Sequence, residues 1–238
     1  MQIEIFKAGS RGHKYHGWLD TYHTFSFAGY YNPNRVHFGA LRVVNDDFVE
    51  GGEGFGTHPH DNMEIVSIPL KGALEHRDSM GNGSVIHAGE VQVMSAGTGI
   101  THSEFNADKD KELNFFQIWV FPNKENVNPR YDQQKFDLEG KKNQLVQVVS
   151  PDPDDDGLWV HQDSWFNLGV FDKEKHTNYK IRKAEDGLFV MVIEGQFEVC
   201  GEVLSKRDAM GITDIDFVQI KSLADNAKIL LIEVPMYK

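Results

Sequence analysis

Short apolar runs rich in Val, Ile and Phe recur along this chain, broken roughly every eight to twelve residues by Gly, Asn or Asp. Helical apolar spacing of any length is absent. A chain with this rhythm cannot bury helical faces, so it must pair strands and close them into a sandwich or barrel. Val43-Val44, Glu64-Ile-Val-Ser-Ile68, Gly89-Glu-Val-Gln-Val-Met94 and Phe115-Phe-Gln-Ile-Trp-Val120 all suit strands, and Met80-Gly-Asn-Gly83 is a hairpin turn signal.

At 238 residues and 40% hydrophobic content the chain can bury one full core or two smaller cores sharing an interface. Two halves are expected, because Lys71-Gly-Ala-Leu-Glu-His76 matches Glu194-Gly-Gln-Phe-Glu-Val199 and Ala88-Gly-Glu-Val-Gln92 can be set against Lys206-Arg-Asp-Ala-Met210. The polar stretch 123–143 reads as the linker between a domain over 1–122 and a domain over 144–238. The acidic run Ser150-Pro-Asp-Pro-Asp-Asp-Asp-Gly157 lacks the spaced ligands and terminal Glu of an EF-hand, so it reads as a solvated loop.

Charge and cysteine content exclude several functions. Lys and Arg total 24 against 36 Asp and Glu, a net charge of −12, so no broad cationic field attracts a phosphate backbone and direct nucleic-acid binding is disfavoured. The single cysteine, Cys200, rules out an internal disulfide and a multi-cysteine metal site. The first residues alternate like a strand, lack the apolar core of a signal peptide, and no later run reaches transmembrane length. The expectation is a cytoplasmic protein without membrane contact.

The chemistry begins with side-chain direction. Residues two apart on a strand point the same way, so His58 and His60 share a face, as do His102 and Glu104. Glycine turns deliver both pairs: Gly52, Gly54 and Gly56 precede the first, Gly97 and Gly99 the second. If their strands face each other inside a barrel, three imidazoles and a carboxylate converge and leave open positions on a first-row metal, a catalytic rather than structural arrangement.

Gly52, His58, His60 and Glu64, followed by Gly89, Gly97 and His102, resemble the two motifs of the cupin superfamily. More closely, the chain resembles the pirin family. The stretches that carry the likeness are Arg11-Gly-His13, Gly17-Trp-Leu-Asp-Thr-Tyr-His-Thr-Phe-Ser-Phe27, Leu41-Arg-Val-Val-Asn-Asp46, Thr57-His-Pro-His-Asp-Asn-Met-Glu64, His76-Arg-Asp-Ser-Met-Gly81 and Met94-Ser-Ala-Gly-Thr-Gly-Ile-Thr-His-Ser-Glu104. Asn128-Pro-Arg-Tyr131 extends it toward the C-terminal half.

The resemblance implies an all-β bicupin of two packed jelly-roll barrels in a monomer. It also implies one divalent metal in the first barrel, held by His58, His60, His102 and Glu104. Iron(II) is the expected metal, with nickel, cobalt, manganese, copper and zinc as alternatives. The bacterial members imply cleavage of quercetin-like flavonols by dioxygen with release of carbon monoxide, Glu104 acting as base. The alternative implied by the same family is a metal-dependent, redox-sensing interaction protein without turnover. Glu64, a ligand in many cupins but not in the pirin pattern, is a reserve ligand or a carboxylate orienting an imidazole. The repeat sets Ile181 and Lys183 where His58 and His60 stand, so the second barrel is expected to be metal-free. His13, His16 and His23 read as packing residues, His76 and His87 as facing solvent or a neighbouring strand, and Phe55 and Met63 as wall candidates.

Overall fold

The computed structural model describes residues 1–237, and its regular structure is almost wholly β. The first half contains β1 (Gln2–Phe6), β2 (Gly12–Tyr15), β3 (Leu19–His23), β4 (Leu41–Val49), β5 (Gly54–His60), β6 (Glu64–Lys71), β7 (Ala73–Asp78), β8 (Gly83–His87), β9 (Glu90–Ser95), β10 (Ile100–Asn106), β11 (Leu113–Val120) and β12 (Arg130–Lys135). The second contains β13 (Leu145–Ser150), β14 (Leu158–Trp159), β15 (Trp165–Phe171), β16 (His176–Lys180), β17 (Asp186–Glu194), β18 (Gln196–Val199), β19 (Glu202–Ser205), β20 (Ala209–Thr213), β21 (Phe217–Ser222) and β22 (Ala227–Pro235). Among the described residues no helix is long and apolar enough to cross a membrane.

Each half is a barrel of a large and a small sheet. The first barrel joins β12-β9-β6-β11-β4-β3-β2 to β5-β10-β7-β8, and the second joins β1-β20-β17-β22-β15-β13-β14 to β16-β21-β18-β19. Two segments cross the expected boundaries. β1 leaves the first half to pair with β20, and the stretch 123–143, expected as a linker, carries β12, which pairs with β9 of the first barrel. Each large sheet thereby gains an edge strand at a matched place.

The two large sheets pack face to face, and this explains why their strands read as unbroken apolar runs. On β11, Leu113 and Phe115 face the barrel interior, while Phe116, Ile118 and Val120 join Val44, Val66, Phe166, Leu168, Phe189, Leu230 and Ile232 in one core between the barrels. A buried ionic knot crosses the same interface: Arg207 Nε stands 2.9 Å and Arg11 Nη1 3.1 Å from Asp46 Oδ2, and Asn114 bonds both Asp46 and Arg207 at 2.9 Å. Because each ion meets an opposite charge, with two guanidiniums sharing one carboxylate, the knot avoids the cost of an isolated buried ion.

The ladders place the repeat. The hairpins at Gly72 and Gly195, both at positive φ (81° and 78°), align β6 with β17 and β7 with β18, and the pairings extend the match through the barrels. The pairing of Ser67 with Gln92 and of Val190 with Met210 sets Gln92 against Met210, as the sequence repeat has it. His58 and His60, however, fall against Tyr179 and Ile181, not Ile181 and Lys183. The cause is the connection to the next strand: residues 61–63 link β5 to β6, whereas the longer 181–185 links β16 to β17. The second barrel still presents no imidazole at these positions.

Candidate metal centre

β5 and β10 are neighbours in the small sheet of the first barrel, and their register sets His102 opposite His58 and Ile100 opposite His60. The approach needs glycine. A Cβ on Gly54 would lie 2.3 Å from the Glu104 carbonyl oxygen, and one on Gly97 (φ 47°) 2.0 Å from that of Val127. The three rings meet with centroids 4.5 Å apart for His58 and His102 and 4.9 Å for the other two pairs. One ligand nitrogen from each lies within 4.8 Å of the others.

The local hydrogen bonding prepares these nitrogens as donors to a metal. His58 Nδ1 is 2.8 Å from the Gly56 carbonyl, which can only accept, so Nδ1 carries the proton and Nε2 keeps its lone pair. Burial, reinforced by the neighbouring imidazoles, pushes His60 and His102 down to about 3, so both stay neutral near pH 7. His102 is 1% exposed and neither ring nitrogen has a hydrogen-bond partner. Three converging imidazoles, one of them buried with both ring nitrogens unpartnered, and no thiolate nearby fit a first-row transition ion.

Glu104 enters the same interior from β10 but lies outside the cluster of three. Its carboxylate accepts hydrogen bonds from Gln117 Nε2 (2.7 Å) and Ser67 Oγ (3.2 Å). Burial pushes its carboxyl up, and the Gln117 bond and the nearby His76 and His58 pull it back. Asp47 adds a second buried acid: it is pushed up to about 7 by burial, with the Thr21 hydroxyl donating to it at 2.5 Å.

One expectation needs correction. Glu64 does not face the histidines: Ser95 Oγ donates to its carboxylate at 2.7 Å, and its other influences are the His161 backbone and Arg130. Strand parity fails there because β5 ends at His60 and the connection 61–63 resets the facing, so Glu64 lies on the same face as Val66 and Ile68, toward the second barrel. Neither role considered for it, ligand or orienter of an imidazole, is present. For His76, expected to face either solvent or a neighbouring strand, the structure shows the second: it is fully buried. It lies opposite Glu104 on the ladder, with its ring 5.2 Å from His102 and stacked on Tyr131 at 4.7 Å.

The remaining histidines are packing or surface residues. His13 stacks on Tyr22 and pairs with Asp20, His23 is buried edge-on to Phe27, and His16 and His87 are exposed. Phe55 packs against Trp18 among Leu19, Leu74 and Phe115, whereas Met63 joins Trp119 and Ile100 near the histidines. Sequence reasoning missed Ser67, Gln117, Asp47 and Trp119. The available signal was a polar residue inside a continuous apolar run, as in Phe115-Phe-Gln117 and Ile65-Val-Ser67.

Fold and site define a bicupin, a pair of β-barrels of which the first holds three histidines that can bind a metal ion. A family model described as Pirin matches residues 6–120, and one described as the quercetinase C-terminal cupin domain matches 147–234. The chain is 45% identical over 234 residues to the quercetin 2,3-dioxygenase of Escherichia coli K12, covering 98% of this chain and 99% of that one. The solved structure of YhhW from Escherichia coli superimposes with a TM-score of 0.95 at 43% identity, covering 99% of each chain. That of the bacterial pirin YhhW in complex with nickel(II) does so at 0.94 and 42%, covering 99% of this chain and 100% of that one. The chain belongs to the pirin family.

Proposed function

We propose that this protein is a metal-dependent dioxygenase that cleaves quercetin-like flavonols, consuming one dioxygen and yielding a depside and carbon monoxide. The observation that carries the reading is the convergence of three imidazoles in the same interior as a buried carboxylate that Gln117 and Ser67 hold in place. The 45% identical quercetin 2,3-dioxygenase supports the substrate class.

In this reading His58, His60 and His102, joined by Glu104, hold one divalent ion, iron(II) or another first-row metal. When bound, the ion supplies a Lewis-acidic and redox-active centre that lets the flavonol enolate react with dioxygen. Glu104 accepts the proton of the flavonol 3-hydroxyl. Burial raises its basicity, which favours taking up a proton, and the hydrogen bonds from Gln117 and Ser67 fix the carboxylate before the transfer. The apolar cluster of Ile65, Met94, Ala96 and Ile100 beside the histidines limits the access of water to the same space.

The test is an anaerobic titration of the metal-loaded protein with quercetin followed by admission of oxygen. Oxygen uptake matched by carbon monoxide release is expected. Metal-loaded protein inert toward every flavonol tried would turn the reading to a metal-dependent interaction protein.

A further inference from the structure

Aromatic rings wall the space beside the histidine cluster. Trp119, on β11, faces the same interior as Gln117, and its indole stands edge-on to His60 at 4.9 Å and 85°. Phe27 stands edge-on to Trp119 at 5.2 Å and 87°. Phe27 is itself fixed from behind: His23 packs edge-on to it at 5.3 Å, and Phe27 and Tyr30 exchange two backbone hydrogen bonds of 3.0 and 2.9 Å. Arg42 ties down the preceding residue through the Ser26 carbonyl at 2.7 Å. Trp119 and Phe27 are only partly buried, so the wall is open to a ligand.

Two perpendicular rings make a corner with a defined preference. A flat ring lying face-on to one is edge-on to the other, and both are favourable aromatic geometries. An aliphatic ligand gains neither. The corner also carries a polar group, because the Trp119 indole Nε1 is buried and has no acceptor among the described residues. An indole N–H is a donor only, and leaving it buried and unpaired is unfavourable, so a ligand oxygen that reaches it is selected.

We propose, resting on the flavonol reading above, that Trp119 and Phe27 are the specificity-determining residues of this site. Phe27 packs on the fused-ring plane, and Trp119 donates its Nε1 hydrogen to a ligand oxygen, the carbonyl of a planar aromatic ketone whose adjacent hydroxyl lies at the histidine cluster. The selected class is therefore flat aromatic hydroxyketones, and small aliphatic chelators of the same metal gain nothing from the corner.

The test compares two ligands on nickel-loaded protein without oxygen, by calorimetry: quercetin, and acetohydroxamate as a small non-aromatic chelator. Phe27→Leu should weaken quercetin about three- to tenfold, and Trp119→Phe, which keeps a ring but removes the donor, about fivefold. Acetohydroxamate affinity and nickel content should stay at the parental level. If Trp119→Phe loses nickel, Phe27→Leu carries the comparison. Equal weakening of both ligands, no weakening of quercetin, or a parent that binds quercetin no tighter than acetohydroxamate overturns the proposal. Selective loss of quercetin in a protein that never consumes oxygen refutes the dioxygenase and leaves the aromatic selection standing.

Discussion

At matched ladder positions the first barrel carries His58, Ser67, His76, Gln92, His102, Glu104 and Gln117, where the second carries Tyr179, Val190, Val199, Met210, Val218, Ile220 and Leu231. Strand order is shared and these positions pair alike, so what differs at them is the filling. The second interior is a continuous apolar cluster around Leu188, Val190, Phe197, Val199, Ile212, Val218 and Ile229. Each such side chain contributes about 1.5–3 kcal/mol on burial. The first interior gives up much of that gain for groups able to bind and move protons. It can do so because its outer face shares the apolar interface with the second barrel. One copy supplies packing, and the other supplies chemistry.

The sharpest way to break this contrast is to move a charge into the packing barrel. Ile220→Glu places a carboxylate where Glu104 stands, but with Val199 and Leu231 in place of His76 and Gln117. Urea unfolding should show a loss of about 3–5 kcal/mol, the cost of an uncompensated buried charge. A loss below about 1 kcal/mol would mean the second interior is as tolerant as the first.

In the first barrel Glu104→Gln should lower turnover of quercetin at least roughly a hundredfold, the usual contribution of general-base catalysis, while retaining part of the metal. Unchanged turnover rejects Glu104 as the base, and Asp47 becomes the next candidate.

Glu64, at the interface, gives a pH test. Burial lifts its carboxyl to about 7, well above the usual carboxylate range. The folded form thus keeps the proton across a range where the unfolded chain has released it. This group's contribution to stability is full below about pH 4.5 and is lost as pH rises through 7. Asp47 and Asp186, also raised to about 7, act in the same direction. Glu64→Gln should therefore flatten the fall in stability between pH 5 and 8 by an amount on the order of 1–3 kcal/mol. Parallel pH profiles for the two proteins would contradict it.

The smallest effect is expected from Ser67→Ala, which removes one of the two hydrogen bonds holding Glu104. A change of about 1 kcal/mol, read as roughly fivefold in turnover at unchanged metal content, is expected. A loss as large as that of Glu104→Gln would show that Ser67 does more than hold the carboxylate.

Much of this contrast was legible in the sequence, and the failures have local causes. The histidines were readable because His58 and His60 sit within one strand, as do His102 and Glu104, and alternation holds inside a strand. Alternation misled at Glu64, across the turn at 61–63, and the repeat register slipped at Ile181 and Lys183, across the longer connection at 181–185. The burial of His76 was hidden because its neighbours Arg77 and Asp78 look like a surface hairpin, whereas the inward facing comes from the pairing of β7 with β10. The placement of β1 and β12 depends on which sheet edge each segment meets, a non-local contact that local pattern does not encode.

The central claim is that a single metal is held by the histidines of the first barrel and none by the second. Elemental analysis of purified, metal-loaded protein tests it most directly, comparing the parent with His58→Ala after folding is verified by circular dichroism. The account predicts one metal per chain in the parent and little in the variant, with the β-barrel signal unchanged. Two metals per chain, or full metal content in His58→Ala, would contradict it.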